Sequence, residues 1–209
     1  GPTMREHTIQ KYLDDLADRI PAPGGGAVAA LHVAQAAALV AMVARYSTGA
    51  RFTEHAENVD RILARAEGLR KQGLELAEQD AAAFGEVAQA YGLPRDTPQR
   101  REIRSDAIAT AALGAARPPA AVIGAAREVL GIAGDLVAIG NRSVLSDVAA
   151  AADAARAAAN TARINIEVNL GSVRDEHALA ELRSTADEVD QLTHTADAVS
   201  AAVRKVILP

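Results

Sequence analysis

Apolar side chains recur at three- and four-residue steps along nearly the whole chain, a pattern that predicts helices throughout. Ile9, Tyr12, Leu13, Leu16 and Ile20 follow Thr8, which is suited to an N-cap, and Pro21 stops them; a short amphipathic helix is expected there. Over about 27–46 the chain is apolar on nearly every side, as a helix enclosed by others must be, and Ser47-Thr48-Gly49 ends it. Thr53 is placed to cap a third helix, in which Val59, Ile62, Leu63, Ala66, Leu69 and Leu74 form a stripe, until Gly92-Leu93-Pro94 breaks it after Tyr91. Thr97-Pro98 supplies an N-cap and a first-turn proline for a fourth helix, expected to end before Arg117-Pro118-Pro119. A fifth is expected from Pro119 or Ala120 to Gly140-Asn141, a sixth over 143–170 and a last over about 175–207. No segment competes seriously with the two-residue period of a strand.

The fold class that follows is all-α: an up-and-down bundle of long, alanine-rich helices, with residues 5–209 as one helical domain. Residues 1–4, with Gly1-Pro2 ahead of Met4, read as the remnant of a cleaved tag. Composition sharpens this picture. Of 209 residues 49% are hydrophobic but only 2% aromatic, so the core must be built from Ala, Val, Leu and Ile. Helices covered in alanine bury little area apiece, and a homodimer is the expected supplement.

Charge and cysteine usage remove whole classes of function. Twenty-two basic residues against 27 acidic ones give a net charge of −5 with no basic block, which argues against a nucleic-acid partner. Zero cysteines exclude disulfides, thiolate metal sites and a cysteine nucleophile, and the default location is cytoplasmic. The 27–44 stretch is the only one with the flavour of a membrane span, but its alanines, His32 and Gln35 assign it to the core, and no membrane partner is expected. The five histidines show no metal-binding spacing, so no metal site is expected.

Four sets of residues could carry chemistry. The first is Arg19-Ile20-Pro21-Ala22-Pro23-Gly24-Gly25-Gly26, where fixed prolines open onto three glycines and then a helix whose first N–H groups are free for an anion or a carbonyl. Gly-rich turns also serve where helices cross tightly. The second is Gly140-Asn141-Arg142-Ser143-Val144-Leu145-Ser146-Asp147, in which Ser146 and Asp147 either face a ligand or cap the next helix. The third is Asn165 and Asn169, one helical turn apart, whose amides suit a polar heterocycle or stitch helix to helix. The fourth pairs Asp80 with Phe84 on one helical face, a carboxylate and a ring fit for a flat cationic substrate, or an ordinary solvated aspartate beside a core ring.

Thr8-Ile9-Gln10-Lys11-Tyr12-Leu13, Pro21-Ala22-Pro23-Gly24-Gly25-Gly26, Asp80-Ala81-Ala82-Ala83-Phe84, Ala90-Tyr91-Gly92-Leu93-Pro94, Gly140-Asn141, Ser146-Asp147 and Asn165-Ile166-Glu167-Val168-Asn169-Leu170 together resemble, in order, the formiminotetrahydrofolate cyclodeaminase / methenyltetrahydrofolate cyclohydrolase family. The resemblance implies a homodimer and a tetrahydrofolate derivative as substrate, with no separate cofactor. It implies either interconversion of the 5,10-methenyl and 10-formyl forms, or cyclisation of the 5-formimino form with loss of ammonia. Asp147 and Asp80 are then the catalytic candidates, and Pro23, Gly24, Gly25, Gly26, Phe84, Asn141, Ser146, Asn165 and Asn169 the substrate-binding ones. One segment departs from the family pattern: Arg45-Tyr46-Ser47 and Gly49-Ala50-Arg51 stand where Asn-Leu-Thr and Gly-Lys are expected, so a lysine is missing. That departure keeps open a paralogue acting on another one-carbon or amidine substrate, and a non-catalytic dimeric helical module.

Overall fold

The computed structural model describes residues 3–209, so Gly1 and Pro2 of the tag reading lie outside the described residues. Met4 is half-buried against the core and opens a single 3-10 turn. Six α-helices follow among the described residues, with no strand: α1 (Ile9–Ala17), α2 (Gly25–Arg45), α3 (Ala56–Tyr91), α4 (Pro98–Ile139), α5 (Leu145–Leu170) and α6 (Glu176–Ile207). Thr8 caps α1, its hydroxyl accepting from Lys11 N–H, and Thr97 and Asp175 cap α4 and α6 in the same way. Short connections make successive long helices antiparallel.

α2 occupies the centre, packed against α3, α4 and α5, while α6 covers α4 and α5. α2 is long and apolar enough to span a bilayer, yet eleven of its residues, all Ala or Val, are buried inside the bundle. Small residues permit the close crossing: a Cβ on Gly73 of α3 would stand 2.7 Å from the Cβ of Ala34, so hydrogen at that position is what lets α3 lie against α2. Exposed ion pairs such as Arg61–Asp135 at 3.4 Å and Arg163–Asp190 at 2.8 Å link neighbouring helices without adding much stability.

Three boundaries differ from expectation. α1 ends at Ala17, short of Pro21, because Asp18 turns extended. Thr53 does not cap α3: it lies in a 3-10 turn (Ala50–His55) and its hydroxyl donates to Ala50 O. The largest difference is that the expected fourth and fifth helices are one. α4 runs unbroken for 42 residues, about 63 Å, straight through Pro118 and Pro119. An interior proline costs a helix roughly 3 kcal/mol, but both rings are buried here, and helical stability in a bundle comes mostly from such packing.

Candidate functional site

The antiparallel arrangement brings together the start of α2, the far half of α3, the middle of α4 and the end of α5. Between them opens a cleft of about 220 Å³, lined by Pro21, Ala22, Gly24, Gly25, Gly26, Asp80, Phe84, Val87, Ala115, Asn165, Val168 and Asn169. Gly24 is the N-cap of α2, and the first paired amide is Val28 N–H, which donates to Gly24 O at 3.1 Å. The N–H groups of Gly25, Gly26 and Ala27 therefore have no partner within the helix and carry its positive end.

Asp80 leans over that first turn. A Cβ on Gly26 would stand 2.2 Å from both carboxylate oxygens of Asp80, so the carboxylate reaches this place only because residue 26 is glycine. A Cβ on Gly25 would meet Asn165 Oδ1 at 3.9 Å, an ordinary contact. Burial pushes the Asp80 carboxyl above its usual range. It is also the sole ionisable side chain lining the cleft. Phe84, 47% exposed, offers its ring one turn further along α3. On the opposite wall Asn169 Nδ2 donates to Asn165 O at 3.0 Å, while Asn165 Nδ2 is buried without a hydrogen-bond partner.

Seven of the eleven catalytic and substrate-binding candidates thus converge, Gly24, Gly25, Gly26, Asp80, Phe84, Asn165 and Asn169, with Pro21 and Ala22 of the same loop beside them. The others do not. Pro23, after a cis Ala22–Pro23 bond, is half-buried in the loop and is not among the lining residues. Ser146 and Asp147 lie in the first turn of α5, and Asp147 is 18 residues from Asn165, about 27 Å along the helix, so within one chain it cannot share this cleft. Asn141 is a structural fastener at that same distant end. Its Nδ2 donates to Tyr46 O at 2.9 Å, its Oδ1 accepts from Ser143 N–H at 3.0 Å, and its own N–H donates to Ser47 Oγ at 2.8 Å. The departing segment lies there too. Arg45 is about 30 Å along α2 from Gly25 and pairs with Glu67 at 2.8 Å, and Arg51 covers the Phe52 ring at 5.3 Å. Sequence reasoning missed Val87 and Ala115, apolar residues of the cleft wall. Among the described residues no group of three or more His, Asp or Glu gathers to hold a metal.

A sequence model of the family described as Formiminotransferase-cyclodeaminase matches residues 8–188. The chain belongs to that family. Within the formiminotransferase-cyclodeaminase family, a methenyltetrahydrofolate cyclohydrolase of Methylorubrum extorquens is 36% identical over 177 residues, covering 84% of this chain and 85% of that protein. The formimidoyltransferase-cyclodeaminase of Mus musculus is 29% identical over 179 residues, which are 84% of this chain but 33% of the mouse protein. The crystal structure of formiminotetrahydrofolate cyclodeaminase from Thermotoga maritima superposes with a TM-score of 0.83 at 25% identity, covering 98% of both chains. These relatives are named as enzymes, and like them this member of the formiminotransferase-cyclodeaminase family is an enzyme.

Proposed function

We propose that the chain hydrolyses 5,10-methenyltetrahydrofolate to 10-formyltetrahydrofolate, as a cytoplasmic homodimer and without a separate cofactor. The observation that carries the reading is Asp80: one carboxyl, alone among ionisable groups in the cleft, with its proton affinity raised by burial. The 36% identity to a cyclohydrolase over most of both chains favours this reaction over its sibling. The cleft is smaller than the roughly 300–1,000 Å³ of pockets that enclose a drug-sized ligand, so it would take the reacting end of a folate and leave the tail outside.

The chemistry needs one proton carrier. Water oxygen bonds to the methenyl carbon between N5 and N10 as the Asp80 carboxylate accepts one water proton, giving a neutral tetrahedral adduct. The carbon–N5 bond then breaks, Asp80 returns its proton to N5, and the adduct's hydroxyl proton leaves to solvent as the formyl C=O forms. A carboxylate with raised pKa is a stronger base in the first step and stays near the amidinium cation throughout. Phe84 offers a face to the flat cation, and the free amides of Gly25 and Gly26 are donors for substrate oxygens.

The sibling reaction, cyclisation of 5-formiminotetrahydrofolate with loss of ammonia, passes through a similar tetrahedral carbon and is favoured by the likeness to the Thermotoga maritima enzyme. Absorbance of the methenyl chromophore decides. The expected result is its loss with methenyltetrahydrofolate and no gain with the 5-formimino substrate; gain alone assigns the cyclodeaminase, and no change with either leaves a paralogue with another substrate or a binding module.

A further inference from the structure

Two of the four helices that form the cleft stop at it: α2 begins at Gly25, and α5 ends at Leu170, next to Asn169. α3 and α4 run on past it together, α3 as far as Tyr91 and α4 back to Pro98. On α3 the cleft residues Asp80, Phe84 and Val87 are followed at the same helical spacing by Tyr91. On α4 Arg104 lies eleven residues from Ala115 of the cleft wall, just as Tyr91 lies eleven from Asp80. Eleven residues are close to three full turns, so both side chains leave their helices on the cleft's side, about 16 Å along from it. They meet there, with the Arg104 guanidinium over the Tyr91 ring at 5.4 Å.

Arg104 is held in place without a carboxylate. α3 ends at Tyr91, where the last carbonyls lack intrahelical donors, and Arg104 Nε donates to Tyr91 O at 3.2 Å. That bond and the ring beneath fix the half-buried guanidinium, while neither of its Nη groups has a partner among the described residues. Nearby arginines are already committed: Arg100 reaches both carboxylate oxygens of Asp96 at 2.9 Å, and Arg174 pairs with Asp106. With Nε occupied, the two Nη groups of Arg104 form an end-on fork of the shape a carboxylate accepts.

We propose that Arg104 binds the glutamate carboxylate of the folate tail, and that the p-aminobenzoyl ring lies along the ledge between Phe84 and Tyr91. The inference rests on the folate reading above and extends it to the part of the substrate that the cleft leaves outside. With Asp80 at the carbon between N5 and N10, the benzoyl ring and its amide carry the glutamate α-carboxylate about 10 Å away by ordinary bond lengths. The side chains of Asp80 and Arg104 cover the rest of the span. Phe84 and Tyr91, 47% and 53% exposed, offer aromatic surface along the way.

Arg104→Gln removes the charged fork and keeps a polar side chain on α4. For methenyltetrahydrofolate the expected KM rises about tenfold, with kcat within about twofold. For methenyltetrahydropteroate, which lacks the glutamate, the unaltered protein should already show the raised KM, and Arg104→Gln should move it less than about twofold. Arg100→Gln, which breaks an exposed pair with Asp96, should leave KM for the full substrate within about twofold. Added salt should raise KM for the full substrate and spare the truncated one, because the fork meets solvent. The two-substrate comparison and its salt dependence need no variant, and they decide the matter should Arg104→Gln not fold. An unchanged KM for the full substrate in Arg104→Gln, an equal rise for both substrates, or an equal rise from Arg100→Gln overturns the inference. So does a KM in the unaltered protein that is the same for the two substrates. Each of these leaves the folate reading intact, whereas failure of the unaltered protein to turn over methenyltetrahydrofolate overturns both.

Discussion

At the scale of single residues the cleft trades stability for chemistry. Asp80 has a folded pKa above its unfolded one, so the folded state binds more protons between those two values, and stability falls as pH rises through them. Below the unfolded value, near 4, the cost is absent; above the folded value it is complete. Asp80→Asn removes it. The variant should melt higher than the parent at pH 7, with the gap closing as pH falls toward about 4 in calorimetry, while turnover drops about 10²-fold or more. Which residues were legible follows from how each signal arises. Asp80 with Phe84, and Asn165 with Asn169, were found because four-residue spacing places side chains on one helical face whatever the tertiary fold. Asp147, Ser146 and Asn141 were grouped with them because all are polar and near a loop, and polarity near a loop carries no information about which end of the bundle that loop occupies. Val87 and Ala115 were missed because an apolar residue on a helix reads the same whether it faces the core or a cleft.

At the scale of elements, helix periodicity identified every long segment, and local punctuation placed the boundaries at Tyr91, Pro98, Ile139 and Leu170 while misplacing three others. Pro118 and Pro119 look like a terminus because intrinsic propensity treats each proline by itself; the packing that holds α4 together comes from other helices far along the chain. The junction between α4 and α5 shows the converse, a place where a polar side chain marks a true boundary. Asn141 ties it to the end of α2 through Tyr46 O and, with Ser47 buried beneath it, satisfies groups that the helix ends leave open. Asn141→Ala should cost about 1–2 kcal/mol in denaturant unfolding and leave kcat within about twofold, because the fastener lies at the opposite end of α2 and α5 from the cleft.

At the scale of the molecule, the alanine-built core leaves apolar surface unspent. Ile9 and Leu13 on α1 are 80% and 53% exposed, and Ile164 and Val168 on α5 are 59% and 73% exposed, each pair one helical turn apart. Val168 also lines the cleft. A second copy covering these faces is the homodimer proposed above, and light scattering after gel filtration should give twice the 21.6 kDa of one chain. Ile9→Glu with Leu13→Glu should shift that mass toward the single-chain value; a single-chain mass for the unaltered protein would remove the dimer from the reading.

The contact of Gly26 with Asp80 sets an order in which this site can change. No side chain fits at position 26 while the Asp80 carboxylate rests there, but a residue too short to reach that far vacates the space. A substitution at 26 thus either swings the Asp80 carboxylate away from the turn, surrendering the proposed chemistry, or follows a change at position 80. The first turn of α2 is in that sense a record of what α3 carries, and a search for new activities on this scaffold has to vary the two positions together.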